Sequence, residues 1–429
     1  MILGIIFAVF ALLLALCVPI GGTIGIISLL APYLEPGLPI NAEFIFRHMV
    51  SAVDSFPLIA IPLFILSGLI MAEGGVSKRL FDVFAYIVGK RTAGMPAAVV
   101  ITCLFYGAIS GSAPATTAAV GAMCIPILVA LGYNRVFVTA LVATSGGLGV
   151  IIPPSIPFIL YGLSSGESVG ALFIAGIIPG LMVGIFLIGY AFIYCKKNGE
   201  DKEKIALNYN TLRQRGLWHL LKDSFWAILA PIIILGGIYG GIVTPTEAAD
   251  ISVIYSLIIS IYIYKTLKWK DILRILTGAV KTTVPILFVV ATATVFGRTL
   301  TLLQAPQQIA QIMINLSSNK VVLLLMINVL LLFVGMVMDT TPAILILTPI
   351  LLPVIKSFGI NPIHFGVIMV VNLAIAFVTP PVGLNLYVAH GMTGIPIMQI
   401  AKKATPFIIS FIVALLLITF IPIISLALI

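Results

Sequence analysis

Charge is what this chain has least of. Its 429 residues include 14 acidic and 23 basic side chains, 9% in all, where a soluble domain carries about a quarter. That shortage excludes an ordinary soluble protein. With 61% hydrophobic residues and a mean hydropathy of +1.23, the chain reads as a polytopic membrane protein embedded in a lipid bilayer. Cysteine is also scarce: Cys17, Cys103, Cys124 and Cys195 are scattered through apolar segments without ligand spacing, and read as packing residues. His48, His219, His364 and His390 are dispersed, with too few carboxylates nearby for a transition-metal site. None shares a predicted element with Ser110-Gly-Ser112, which argues against serine hydrolysis. No Gly-Lys-Ser/Thr occurs, so ATP is not expected to power the chain directly. No basic n-region precedes the apolar stretch that starts at residue 2, which reads as a retained span. The net charge of +9 does not call for nucleic acid, because Lys and Arg gather in a few short loops, as cytoplasmic loops do.

Glycine and proline are plentiful, at 38 and 26, and two stretches use them alike. The first runs Gly107-Ala-Ile-Ser-Gly-Ser-Ala-Pro114, then Leu131-Gly-Tyr-Asn134, then Ile151-Ile-Pro-Pro154. The second runs Gly335-Met-Val-Met-Asp-Thr-Thr-Pro342, then Phe358-Gly-Ile-Asn361, then Val378-Thr-Pro-Pro381. Ser112 falls on Thr340 at an offset of 228, and Pro153 on Pro380 at 227. Pro57 and Pro285, again 228 apart, extend the repeat to earlier spans. A lone break of this kind reads equally well as a packing kink with small residues. Broken helix at membrane depth is tolerated where it is buried in protein or lines a cavity, and a matched pair points to a transporter's binding site.

Placing the basic segment Lys196–Lys222 in the cytoplasm orients the rest. The first repeat then covers 1–195, starting with a span over 2–30. It continues through 52–72, a cytoplasm-facing hairpin near 94–131, a broken span over 135–165 and a span over 170–195. Residues 196–246 form the cytoplasmic loop and a connecting span near 224–243. The second repeat covers 247–429, with spans over 247–267 and 278–300, a periplasm-facing hairpin near 319–357, a broken span over 363–391 and a last span over 404–428. The fold expected is all-α, an inverted repeat with two re-entrant helical hairpins and two broken transmembrane helices. The N-terminus falls inside and the C-terminus outside. Segments 75–92, 305–317 and 395–403 are mixed in polarity and too short to cross; interfacial helices and solvated loops both fit them.

A hairpin tip at mid-membrane presents helix C-terminal carbonyls and N-terminal amides. Carbonyls and hydroxyls suit a hard cation such as sodium, and amide ends attract an anion. Each half offers both, so two sodium sites flanking one substrate site are expected. The sodium candidates are Gly107, Ser110, Gly111, Gly149, Gly335, Asp339, Thr379 and Gly383. The substrate candidates are Ser112, Ala113, Pro114, Ser155, Thr340, Thr341, Pro342 and Asn385. Asp339 is the only carboxylate placed deep in the membrane, where an ionisable group is functional by default. Its partner by offset is Gly111. Arg47, Asp54, Glu73, Glu167, Glu247, Asp250 and Arg298 sit near span ends, where snorkelling or pairing accounts for them; Arg298 and Glu247/Asp250 can alternatively mark a partner surface.

At these motifs the chain resembles the large membrane subunit of tripartite ATP-independent periplasmic (TRAP) transporters. The resemblance rests on Gly107-Ala-Ile-Ser-Gly-Ser with the following Ala-Thr-Thr, Ile152-Pro-Pro-Ser155, and Gly335-Met-Val-Met-Asp339 through Val378-Thr-Pro-Pro381, and covers essentially the whole chain. It implies an elevator-type transporter of the bacterial inner membrane, driven by a sodium gradient and needing no further cofactor. It also implies a small four-helix membrane subunit, expected here as a separate chain, and a periplasmic substrate-binding protein that delivers an organic acid such as a C4-dicarboxylate or sialic acid. Ser110, Gly335, Asp339 and Thr379 match the family's sodium-binding regions. A stand-alone divalent-anion/sodium symporter is the alternative, and a sodium/proton antiporter using Asp339 a third.

Overall fold

The computed structural model describes residues 2–35, 37–316 and 319–429. Ser317, at the end of segment 305–317, and the Arg215 side chain of the central basic cluster lie outside the described residues. Among these residues there is no strand, and nine helices are long and apolar enough to cross a membrane, by length and composition.

The chain begins with α1 (Ile2–Ala15), α2 (Ile20–Leu34), α3 (Ala42–Val53) and α4 (Ala60–Glu73). The single span expected over 2–30 is therefore two helices. Cys17 adopts a positive φ of 58° and the Val18 amide donates back to Leu13 O at 3.1 Å, which ends α1, and Pro19 precedes the restart. Phe10 of α1 stacks on Phe296, whereas Gly21 and Gly25 of α2 lie against Phe288 and Thr292 of the same later helix. So α1 descends to the turn and α2 climbs back.

Then follow α5 (Val76–Val88), α6 (Gly94–Ser110), α7 (Ala113–Ala130), α8 (Arg135–Ser145), α9 (Ile156–Ser165) and α10 (Val169–Asn198). The basic segment is helical instead of a loop, with α11 (Lys202–Arg215) and the start of α12 (Leu217–Tyr239). Asp201 caps α11 by accepting the Lys204 amide at 3.1 Å; that bond and the Lys204 ammonium hold its carboxyl below the usual range. The remainder is α13 (Pro245–Ile258), α14 (Trp269–Leu302), α15 (Ala305–Leu316), α16 (Lys320–Val337), α17 (Thr340–Ser357), α18 (Pro362–Ala376), α19 (Leu384–Thr393), α20 (Ile397–Phe420) and α21 (Ile423–Leu426). Of the mixed-polarity segments, 75–92 and 305–317 contain α5 and α15, which pack on α6 and α17. Segment 395–403 is no separate element: Ile397–Lys403 is the first part of α20, anchored over Tyr194 by Lys403.

The order α4 to α10 recurs as α14 to α20, and the packing recurs crosswise. Hairpin helix α7 lies on α19 and α17 on α9; α8 lies on α20 and α18 on α10. Away from the hairpins, α2 packs on α14 and α13 on α4 in the same way, where the Ser67 and Ser252 hydroxyls meet. The repeated Gly-x-Asn motifs have a shared local cause. Gly132 and Gly359 take positive φ of 92° and 64° at the ends of α7 and α17. Two residues later, Asn134 and Asn361 accept the first amides of α8 and α18, from Phe137 at 3.0 Å and Ile363 at 2.8 Å.

Candidate transport site between two hairpin tips

Both hairpins turn in two residues, Gly111-Ser112 between α6 and α7 and Met338-Asp339 between α16 and α17. Ser112 and Asp339 occupy the same position, immediately before the second helix. By geometry, then, Ser112 is the counterpart of Asp339. The offset that assigned Gly111 is one residue out, because Pro114 is second in its helix and Pro342 third.

The first tip is pressed against the broken helix. A Cβ on Gly107 would lie 2.7 Å from Gly149 Cα, and one on Gly111 2.9 Å from Pro154 O. Gly111 also has a φ of 60°, in the left-handed region. The Ile156 amide donates to Gly111 O at 3.3 Å, tying α9 to the link. Ser110 and Thr116 share a hydroxyl contact at 2.8 Å, and the Ser110 hydroxyl is 3.4 Å from Ser112 O. The peptides Pro153-Pro154 and Pro380-Pro381 in the two broken spans are both cis.

The second tip carries charge. Asp339 Oδ1 accepts the Thr340 amide at 2.8 Å and caps α17, whose N-terminal dipole favours an anion there. Opposite it, the Thr379 hydroxyl donates to Ile375 O of the preceding turn at 2.9 Å, and the Val382 amide donates to Met336 O at 3.2 Å.

A cavity of about 760 Å³ receives both tips. Ser110 through Pro114 line it from the first hairpin, and Asp339, Thr340 and Thr341 from the second. Across it stand Gly68 and Glu73 of α4 and Thr282 and Pro285 of α14. A second void of about 10 Å³, the size of one water or small ion, lies behind Asp339 and is lined by Gly335, Thr340 and Gly383. Asp339 thus stands in the wall between a substrate-sized and an ion-sized space. The donor set there, a carboxylate with backbone and hydroxyl oxygens nearby, fits a hard cation.

The other candidates sit behind these surfaces. Gly107 and Gly149 pack on each other. Pro342 is buried in the first turn of α17. Ser155 is buried, donates to Val150 O at 2.5 Å and caps α9. Asn385 is buried too and donates to Ala143 O of the other repeat at 2.9 Å, leaving its Oδ1 without a partner. Thr379 lines neither space among the residues given above. Sequence reasoning missed Tyr106, whose hydroxyl donates to Gly68 O at 3.1 Å beside the cavity. It also treated Glu73 as a generic span end. Its bidentate pair with Arg274, at 3.1 and 2.6 Å, joins α4 to α14 at the cavity rim. Nothing local signalled that pairing across 201 residues.

Two broken helices clasped crosswise with two hairpins, enclosing a cavity at their tips, define a multi-pass membrane transporter. The comparisons are specific. The model of the family described as "Tripartite ATP-independent periplasmic transporter, DctM component" matches residues 7–424, and the chain belongs to that family. The "C4-dicarboxylate TRAP transporter large permease protein DctM" of Pseudomonas aeruginosa is 40% identical over 87% of this chain and 86% of its own. The "Sialic acid TRAP transporter large permease protein SiaM" of Vibrio cholerae is 35% identical over 94% and 93%. The "Isethionate TRAP transporter permease protein DctMQ" of Oleidesulfovibrio alaskensis is 43% identical over 98% of this chain, which spans 65% of that relative's length. The crystal structure of the Alcanivorax borkumensis YdaH transporter shares the fold, with a TM-score of 0.61 at 15% identity, over 96% of each chain. These relatives are named as transport proteins, and the chain is a permease subunit rather than an enzyme.

Proposed function

We infer that this chain is the transport-path subunit of a sodium-coupled uptake system for a small organic acid. It works in the bacterial inner membrane with a small membrane subunit and a periplasmic binding protein. The observation that carries the reading is a cavity lined by both hairpin tips, with Asp339 lining both it and an ion-sized void. Relatives named for C4-dicarboxylate, sialic acid and isethionate transport share a small anionic cargo. First-turn amides of α7 and α17 bind such a head, and sodium held at the tips offsets its charge.

The hairpins and broken helices move together as an elevator past α4 and α14. Gly68, where a Cβ would come 3.1 Å from Ser110 Cα, keeps that sliding surface small. In the orientation set by the basic segment, the hairpins enter from opposite faces. The reversal between α1 and α2 at Cys17 supports an N-terminus on the periplasmic side with the C-terminus, in place of the cytoplasmic one that a single span over 2–30 implies. Labelling a cysteine added at each end of the chain in right-side-out vesicles tests this: an unreactive N-terminal site would overturn it.

The functional test is uptake into proteoliposomes containing this chain and its small subunit, with loaded binding proteins and a sodium gradient. Uptake is expected only when all three proteins and sodium are present. Sodium-driven uptake by this chain alone would instead establish a stand-alone symporter. Sodium-independent uptake would remove the coupling.

A further inference from the structure

A second cavity, of about 360 Å³, lies farther along α14. Scaffold and hairpin elements build it together: the end of α3 and the turn after it, the last part of α14, the end of α9 and the middle of α17. Arg298 is its one charged lining residue; Ser51, Ser55, Ser164 and Thr294 line it beside apolar Leu58, Leu163, Val290 and Leu345, and the Thr294 hydroxyl donates to Val290 O at 2.8 Å. Arg298 is exposed, and among the described residues it has no acidic side chain within ion-pair distance. Arg47 and His48 lie close enough for His48 to feel both guanidinium charges. So Arg298 borders the hollow without a carboxylate within ion-pair distance, with further positive charge nearby, at the end of α14 away from Lys268, Lys270 and Arg274. A solvated span end does not require that arrangement, since snorkelling needs no hydroxyl-lined hollow.

The same helix lines both spaces. Thr282, Pro285 and Ile286 of α14 face the hairpin-tip cavity, while Thr294 and Arg298 face this one. From Ile286 to Arg298 along the helix is about 18 Å, at about 1.5 Å per residue. The volume is within the range of small-molecule pockets, and a guanidinium fork with hydroxyl donors matches a carboxylate or sulfonate head.

We propose that this cavity is a second anion subsite, in which Arg298 holds the carboxylate or sulfonate head of a small organic anion farther along the same sliding surface as the hairpin-tip cavity. It deepens the organic-acid reading and rests on it. In uptake the ligand meets Arg298, at the end of α14 away from the cytoplasmic basic cluster, before it lies at the hairpin tips.

The test uses a Ser51→Cys chain in which the exposed Cys17 is replaced by Ser, reconstituted with the small subunit. Modification of the introduced thiol by a neutral, membrane-impermeant maleimide is followed with succinate, isethionate or sialic acid present and no binding protein. At least one anion is expected to slow the reaction. Adding Arg298→Gln should raise the concentration for half-protection at least about tenfold, the loss of a charged hydrogen bond, and Arg298→Lys should restore part of it. Protection by none of the three anions overturns the subsite, as does protection unchanged in Arg298→Gln. Slowing only by the binding protein overturns it in favour of a docking surface. Uptake on the same vesicles separates the two readings: uptake without protection removes the subsite alone, and protection without uptake removes the transport reading alone.

Discussion

The two hairpins share a plan and differ in how tightly they are held. In the first, α6 and α7 lie along each other, and glycine brings the link into backbone contact with the broken helix at Gly107–Gly149 and Gly111–Pro154. In the second, α16 and α17 splay apart, leaving an apolar cavity of about 380 Å³ lined by Leu330, Phe333, Leu347 and Leu351 with Phe7 and Phe10 of α1. Both hairpins pack a glycine on a broken helix, Gly107 on Gly149 and Gly335 on Ala376, but only the second link carries a carboxylate. One link is held by backbone packing at a left-handed glycine, the other is a charged link whose two helices diverge away from the tip. Pseudo-symmetric topology thus does not imply equivalent function.

The largest expected effect tests the chemical difference. Asp339→Asn should lower sodium-driven uptake at least about tenfold, roughly 1.4 kcal/mol of lost stabilisation. Ser112→Ala, at the matching position, should change it less than about twofold, since the Ser112 side chain makes no capping bond to α7. Equal losses in both variants would break the comparison. Uptake by Asp339→Asn with an unaltered pH profile would also remove any proton-carrying role.

Next comes packing. Gly111→Ala puts a Cβ at a left-handed residue and 2.9 Å from Pro154 O. It should destabilise the purified chain by about 1–3 kcal/mol, read as a lower thermal midpoint. Met338→Ala, at the first link position of the other hairpin, has an extended backbone with φ −135° and should shift the midpoint less. The reverse order would mean that the first tip is not the tighter one.

The smallest effects concern hydroxyls. Ser110→Ala removes the contact to Thr116 and should raise the sodium concentration for half-activation a few fold, about 0.5–1 kcal/mol. Thr379→Ala should matter less, because that hydroxyl already donates to Ile375 O in the last turn of α18. A larger shift for Thr379 would move the second ion-binding region away from the Asp339 void and toward the broken helix.

Much of this was legible in the residues. The paired Gly, Ser/Thr and Pro runs located both links and both broken spans, since only helix breaks need those residues in so apolar a chain. The two Gly-x-Asn motifs marked a helix end and the next start in each half. Other features were not legible. The reversal at Cys17 has no glycine and only Pro19 to signal it, so 2–30 looked continuous. The helical α11 was hidden within a basic run. Asn372 donates to Asn328 Oδ1 at 2.8 Å and to Asn328 O at 3.0 Å, fastening α18 to α16 in the second repeat, yet each Asn alone is an unremarked polar residue in a span.

What the sequence determined by itself was composition, period and breakpoints: the membrane class, the repeat, and where helix must stop. These are local consequences of hydrophobic length and of residues that favour or forbid helix. Tertiary structure alone decided which candidates face a cavity and which stand behind it. Ser155, Asn385 and Ser112 have similar chemistry in the sequence, but only Ser112 lines the hairpin-tip cavity, because the crosswise packing of the two repeats turns the other two inward. The same packing brings Asp339 level with Ser110, placing in one cavity wall residues separated by more than half the chain.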